Sequence, residues 1–276
     1  MNEFYNEIPT EEIYKPYIQK FWILNNIQQS LATLPNYALP NGCCTIVFVS
    51  GNGLLLNLAG TTIELSAGVY LSGQLNQRVG ISLKPYSKAI MAQVKPWLPS
   101  LLSNIPMDEL ANEVRSLEYI NHSLYEQFNA IDLTNEKKVI PALYQALDPY
   151  LHIDIDARFI QWAYQRLTAG SSTSANIADL ALASGYSQRW VEQKFKALVG
   201  LTAKEIQSIL QLRKLIDDLS KPIYNRQLGT LALQYGYYDQ SHFIRSYQRV
   251  FSEPPSKFKR TEYLWPLNGH FDFLQL

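Results

Sequence analysis

Residues 236–255 read GYYDQSHFIRSYQRVFSEPP, and this stretch predicts a helix with an unusual exposed face. Its aromatic residues Phe243, Tyr247 and Phe251 recur every four positions, which places them on one apolar stripe. The polar residues of the opposite face are mainly Gln, Ser and Arg, whereas solvated helices are usually rich in Glu and Lys. This composition indicates a face that contacts a partner through hydrogen bonds.

The same pattern occurs earlier in the chain. Residues 177–186, IADLALASGY, align with residues 228–237, LGTLALQYGY, at an offset of 51 residues. After one inserted residue the match resumes at an offset of 52, and it pairs Gln188 with Gln240, Val191 with Phe243, Phe195 with Tyr247 and Val199 with Phe251. Duplication of one structural unit is the simplest explanation.

Each copy predicts a helix-turn-helix unit. A short helix ends at Gly185 or Gly236, because glycine readily adopts the left-handed conformation that follows many helices. Ser187 or Asp239 can then cap a second helix only a few residues later. Two helices joined by so short a turn form a helix-turn-helix.

The free face of each second helix supplies candidate DNA contacts. Arg and Gln side chains form paired hydrogen bonds with guanine or adenine edges, and the first turn of a helix in the major groove lies nearest the bases. The candidates from the pattern are Arg189, Gln193 and Lys196 in the first copy, and Gln240, Ser241, Arg245 and Gln248 in the second. An ordinary solvated surface is the alternative. A helix predicted at Lys204–Leu219 connects the copies, so one chain could span grooves about 34 Å apart.

From about residue 154 to residue 260 the sequence resembles the AraC/XylS family of bacterial transcription regulators. The resemblance is carried by GYYDQSHFIRSYQRVFSEPPSKFKR (236–260), SGYSQRWVEQKFKALVGLTAKEI (184–206) and ILQLRKLIDDL (209–219). It implies that DNA is approached by Gln188, Arg189, Trp190, Gln193, Gln240, Ser241, His242 and Arg245. Gln193 departs from the family, which commonly has Arg there, and Ser252-Glu253-Pro254 replaces the usual Gly-x-Ser.

The N-terminal half has a different pattern. Short apolar runs separated by Asn and Gly between Tyr37 and Lys95 predict strands of a small antiparallel sheet, barrel or sandwich. Helical spacing follows over residues 107–129 and 136–150, and the stripe Leu110, Val114, Leu117 and Leu124 either packs on its own sheet or pairs two subunits. LPNGCCTIVFV (39–49) and SGQLNQRVGISL (72–83) loosely resemble a domain found ahead of AraC-type DNA-binding domains, which implies a cupin-like effector or dimerisation module.

We therefore predict an α+β protein: an N-terminal β-rich, cupin-like domain with following helices (residues 1–153), a C-terminal all-α double helix-turn-helix domain (154–263) and a tail (264–276). The formal net charge is zero, but residues 1–153 carry −4 and residues 154–263 carry +5. A basic C-terminal half suits a polyanionic partner.

Enzymatic chemistry has little support in the sequence. The predicted strand region contains no histidine, and Glu64 is the only carboxylate between Glu12 and Asp108, so neither a metal site nor a paired-carboxylate site is expected there. The adjacent Cys43 and Cys44 are expected to be reduced and buried. We predict a protein that is not an enzyme and has no cofactor and no metal.

The prediction for function is a cytoplasmic, sequence-specific DNA-binding transcription regulator of the AraC type that responds to an unknown small-molecule effector. Its expected partner is double-stranded DNA, a promoter or operator, and a homodimer and RNA polymerase are further candidate partners. No signal peptide or membrane-spanning segment is expected, since no apolar run is long enough. The alternative is a ligand-binding or enzymatic protein whose helical domain mediates association and not DNA binding.

Overall fold

The computed structural model describes residues 4–27, 36–133, 135–168, 176–219 and 228–263. The predicted tail, residues 264–276, lies outside the described residues. The strands are β1 (Tyr5–Pro9), β2 (Ile18–Asn25), β3 (Asn36–Ala38), β4 (Cys44–Gly51), β5 (Leu54–Leu58), β6 (Thr61–Leu65), β7 (Gly68–Ser72), β8 (Val79–Leu83), β9 (Ser87–Val94) and β10 (Val114–Ser116). The α-helices are α1 (Leu98–Leu102), α2 (Leu117–Ile120), α3 (His122–Asn129), α4 (Glu136–Leu147), α5 (Ile155–Thr168), α6 (Ile177–Ser184), α7 (Gln188–Val199), α8 (Ala203–Leu219), α9 (Leu228–Gln234) and α10 (Gln240–Phe251).

The N-terminal half is built on two antiparallel sheets. The larger sheet has the order β1-β2-β9-β4-β7-β10, and the smaller has the order β3-β8-β5-β6. Apolar side chains from both sheets form one cluster, in which Val47 and Met91 of the larger sheet meet Leu54, Leu56 and Ile81 of the smaller. The two sheets therefore pack face to face around a shared core, which confirms the predicted β-rich N-terminal region.

Helices cover the outer face of the larger sheet. Phe48 of β4 packs edge-on against Phe128 of α3, with ring centroids 5.1 Å apart. Leu143 of α4 belongs to the same buried cluster. Because the larger sheet is covered on both faces, every residue of its central strand β9 is buried.

Strands β1 and β2 lie outside the predicted strand region, which began at Tyr37. β2 reads IQKFWILN and is buried at most positions, so it shows no clear alternation of apolar and polar residues. β1 reads YNEIP and forms an edge of the sheet, where polar residues are common. Strand assignment at this end depends on pairing with β9, which lies more than sixty residues away in the chain.

The helical prediction for residues 107–129 was partly wrong. Leu110 ends a short 3₁₀ helix, Met107–Leu110, and Val114 begins strand β10. Asn112 lies between them with a φ of 59°, which interrupts any helix. Leu110, Leu117 and Leu124 are fully buried in the core of their own chain, so the stripe packs on its own sheet rather than pairing two subunits.

The C-terminal half is helical, as predicted. Asp154 caps α5 by accepting a hydrogen bond from the Ala157 N–H at 2.7 Å. The connector predicted at Lys204–Leu219 is α8, whose residues Ile206, Ile209 and Leu210 are buried. These elements complete the α+β architecture.

Specific contacts join the two halves, and the boundary at residues 153 and 154 stays a prediction. The Arg78 N–H donates to the carbonyl oxygen of Val250 at 2.9 Å. The Arg78 guanidinium donates to Glu253 Oε1 at 2.8 Å and to the Tyr263 hydroxyl at 2.9 Å. The indole of Trp97 packs edge-on against the ring of Tyr164, with centroids 6.0 Å apart. The helical half therefore contacts the β-rich half through both α5 and α10.

Candidate nucleic-acid interface

The first helix-turn-helix unit consists of α6 and α7. The side chain of Asn176 accepts a hydrogen bond from the Asp179 N–H at 3.0 Å, and the Asp179 carboxylate accepts one from the Asn176 N–H at 3.0 Å. This capping box begins α6, and Gly185 ends it with a φ of 76°. Ser187 Oγ then accepts from the Trp190 N–H at 3.2 Å and begins α7. The predicted glycine turn and serine cap are both present.

The second unit, α9 and α10, repeats this geometry. Gly236 follows α9 with a φ of 79°. Asp239 Oδ1 accepts a hydrogen bond from the His242 N–H at 2.6 Å and caps α10. Tyr238, the residue inserted relative to the first copy, is exposed in the turn. The internal repeat of the sequence therefore corresponds to a repeat in structure.

The apolar stripe of each second helix is buried. Val191 and Phe195 of α7 are fully buried, as are the matching Phe243 and Tyr247 of α10. The first helix of each unit packs against the apolar stripe of the second helix. In the second unit, Ala232 of α9 is buried in the same core as Phe243 and Tyr247. Because one face of each helix is fixed inside a core, the opposite face is presented to solvent.

We call α7 and α10 the recognition helices. Their solvent face contains nine of the ten predicted contact residues: Gln188, Arg189, Gln193, Lys196, Gln240, Ser241, His242, Arg245 and Gln248. Within the described part of the chain, no acidic side chain forms an ion pair with Arg189 or Arg245. These guanidinium groups keep all five N–H donors available to a ligand.

Two predicted contact residues also have partners within the protein. Trp190 is half-buried, stacks on Tyr186 with ring centroids 3.8 Å apart, and meets the edge of Phe159 at 4.8 Å. His242 is exposed, but its Nδ1 accepts a hydrogen bond from the Tyr238 N–H at 3.4 Å. Trp190 therefore attaches α7 to α5, and the contacts of both residues with DNA stay predictions.

One candidate was missed from the sequence. Arg249 is exposed on α10, four residues after Arg245, and no described acidic side chain pairs with it. Residues four apart lie on the same face of a helix, so Arg249 extends the face that Ser241 and Arg245 define. The i, i+4, i+8 spacing could have identified it.

The Asp239 cap gives a direct test of how the second recognition helix is held. Replacement of Asp239 by Ala is expected to lower the free energy of unfolding by about 1 kcal/mol, because the N–H of His242 loses its acceptor. The Asp239→Asn variant keeps an acceptor oxygen and is the matched control. Denaturant unfolding of the three proteins measures the difference. Equal stability of the Ala and Asn variants would contradict this role for the cap.

The β-rich half contains a partly open cavity of about 70 Å³ between its two sheets. Its walls are mostly apolar, but Thr45, Ser72 and Gln93 contribute polar groups. The segment 38–41 forms one wall, and Leu39 of this segment also packs in the core of the second helix-turn-helix unit. A surface groove of about 540 Å³ shares Leu75 and Val114 with the cavity. A molecule in the cavity would thus contact the segment 38–41, which also packs against the helical half.

Metal binding and membrane insertion find no support in the described residues. Across the described ranges, no group of three or more His, Cys, Asp or Glu residues is placed to hold a metal ion. None of the helices in that part of the chain combines the length and apolar character that crossing a membrane requires. Cys43 and Cys44 are free thiols, and burial raises the pKa of both.

Two protein-family models match separate parts of the chain. Residues 180–261 match the family described as a helix-turn-helix domain, and this domain is of the AraC type. This match confirms the AraC-type resemblance seen in the C-terminal part of the sequence. Residues 6–116 match a domain of unknown function, DUF6597.

Solved structures show similar chains at low identity. ToxT from Vibrio cholerae is 10% identical with a TM-score of 0.45, and the match covers 82% of this chain and 94% of that chain. Unsaturated fatty acid bound wild-type ToxT from strain SCE256 is 14% identical with a TM-score of 0.44, covering 82% and 91%. The AraC-like transcriptional activator CuxR is 10% identical with a TM-score of 0.25, covering 80% and 88%. No curated protein matches this chain.

Proposed function

We propose that the protein is a cytoplasmic, sequence-specific DNA-binding transcription regulator that responds to a small molecule. The observation that carries this proposal is the matched pair of recognition helices. Each is fixed by one buried stripe, and each exposes Gln and Arg side chains, of which Arg189 and Arg245 lack a described acidic partner. A helix laid in the major groove uses such residues to contact base edges.

The contacts divide into two groups with different roles. Gln240 and Arg245 lie in the first half of α10, and we assign them to base recognition. Lys196 lies in the last turn of α7, and we assign it to the phosphate backbone. Phosphate contacts supply affinity for every sequence, whereas base contacts supply the preference for one sequence.

The response to a small molecule is assigned to the cavity between the two sheets. One wall of the cavity is formed by residues 38–41, which directly follow Tyr37 in the chain. The Arg78 guanidinium lies over the Tyr37 ring, 4.4 Å from the ring centroid. Arg78 in turn binds Glu253 and Tyr263 beyond the second recognition helix. A ligand that moves this wall would change the support of α10. A homodimer and RNA polymerase stay as further proposed partners.

Selection of genomic DNA fragments by the full-length protein, followed by binding at increasing salt, tests the proposal. We expect a preferred duplex whose affinity falls roughly a thousandfold or more between about 50 and 200 mM salt, because several phosphates release counterions on binding. Scrambled duplex is the control for base preference. If no duplex binds at low salt, the alternative function applies, in which the helical domain mediates association within a ligand-binding protein.

A further inference from the structure

Polar side chains cross the inner face of the larger sheet in a single row. Lys20 of β2 pairs with Gln93 of β9, Gln93 pairs with Thr45 of β4, and Thr45 pairs with Ser72 of β7. Directly paired residues of antiparallel strands project from the same face, so these four side chains are neighbours. Three of them line the cavity, whose other walls are largely apolar. The cavity therefore has one polar end.

Several hydrogen-bonding groups at this end are unused. Trp22 lines the cavity with only 8% of its surface exposed, and its Nε1–H has no hydrogen-bond acceptor among the described residues. Gln93 is 4% exposed, and no described residue forms a hydrogen bond with its side-chain amide. Buried polar groups are nearly always satisfied, since leaving one unpaired costs about 1–3 kcal/mol. A bound molecule with an acceptor atom would satisfy the Gln93 amide.

The same end carries an excess of buried positive charge. Lys95 directly follows β9, is 5% exposed, and donates to the neutral Gln19 Oε1 at 2.6 Å. No described acidic side chain forms an ion pair with Lys95. Lys20 Nζ lies 2.8 Å from Glu7 Oε1 and 5.3 Å from the centroid of the Trp22 ring, so the charge of Lys20 is compensated whereas that of Lys95 is not.

Both lysines lie close to the cavity wall. Each lies near Cys43, which lines the cavity, and burial lowers the pKa of both ammonium groups. Arg213 of α8 adds a third buried cation near Lys20, but Asp217 lies 3.4 Å from it and compensates its charge. A buried charge is stable when it is paired, so this end of the cavity suits one additional anion.

We propose that the cavity binds a short-chain monocarboxylate as the effector, which rests on the proposed regulatory function. Its carboxylate accepts a hydrogen bond from the Gln93 amide, close to Lys20 and Lys95. Its alkyl chain lies among Leu54, Leu56, Val79, Ile81 and Met91 of the apolar walls. A cavity of about 70 Å³ holds about five water-sized groups, which corresponds to an acid of about four to six carbons.

Calorimetric titration of the full-length protein, without DNA, tests this ligand class. Sodium pentanoate is the probe, and 1-pentanol and pentylamine have the same alkyl chain with a neutral or a cationic head. We expect pentanoate to bind roughly tenfold more tightly than pentanol, because hydrogen bonds to a charged acceptor are stronger, and pentylamine to bind more weakly still. Equal binding of the acid and the alcohol, or no binding of pentanoate, would overturn the proposal.

Substitutions locate the site within the protein. The Lys95→Met variant is expected to lose the preference for the acid over the alcohol, whereas Lys95→Arg retains it. Lys84→Met removes a lysine that pairs with Glu64 on the outer surface, and it should leave the preference unchanged. A preference that survives in Lys95→Met places the anion elsewhere and refutes this assignment.

A negative result in the DNA experiment does not decide the ligand experiment, and the reverse also holds. Pentanoate binding without any duplex binding would reject the proposed regulator and leave the assigned ligand class standing. Duplex binding without pentanoate binding would reject the ligand class and leave the regulator standing. The two proposals are therefore separately testable on one purified protein.

Discussion

Replacement of Arg245 by Ala is expected to weaken binding to the selected DNA site by about 1–3 kcal/mol and to relax base preference at one position. Arg245 is exposed on α10, and no described acidic side chain holds its guanidinium. Alanine is a strong helix former, so the substitution removes the contact without disturbing the helix. Competition binding between the selected and scrambled duplexes measures both effects.

The matched control is Lys196→Ala on the other recognition helix. Lys196 is also exposed, and a phosphate contact should weaken all sequences alike and reduce the slope of affinity against salt by about one. The two variants therefore differ in kind as well as in size. If both lose equal affinity for every sequence, Arg245 does not contact a base edge.

The helical half was predictable because its signals are local. The glycine that ends each first helix, the cap that begins each second helix and the apolar stripe all occur within about twenty residues of sequence. Gly185, Ser187, Gly236 and Asp239 all have the predicted conformations or cap bonds. The internal repeat strengthens the prediction, since the same pattern seldom arises twice by chance in one chain.

The β-rich half was less predictable because its signals are distant in sequence. Strand β2 is defined by its pairing with β9, and β10 by its pairing with β7. Leu110 and Val114 have helical spacing, yet Asn112 between them turns the chain toward the sheet edge. The apolar period alone cannot distinguish these outcomes for such short segments.

The polar end of the cavity illustrates the same limit. Lys20, Thr45 and Gln93 lie on three different strands and come together only through sheet register. None of the three has a notable local context in the sequence. By contrast, the exposed residues of the recognition helices could be identified from helical spacing within one segment. Sites built across a sheet therefore require the structure, whereas sites on one helix face do not.

Gly200 provides the second large expected effect, on the stability of the contact between the halves. It ends α7 with a φ of 95°, and a Cβ at this position would lie 2.6 Å from the carbonyl oxygen of Met107. That oxygen belongs to the backbone of the short 3₁₀ helix in the N-terminal half, so it cannot move away cheaply. Gly200→Ala therefore combines an unfavourable backbone conformation with a steric clash.

The expected loss of unfolding free energy for Gly200→Ala is about 2–5 kcal/mol, from about 1–2 kcal/mol for the left-handed conformation and about 1–3 kcal/mol for overpacking. Gly185→Ala is the matched control, because Gly185 ends α6 with a φ of 76° and a Cβ added there would meet no heavy atom within 4 Å. Gly185→Ala is expected to lose only the free energy of the left-handed conformation, about 1–2 kcal/mol. Denaturant unfolding gives both values, and their difference isolates the contact with Met107. Should the two variants lose the same stability, the end of α7 does not press on the N-terminal half, and the first recognition helix is not held there.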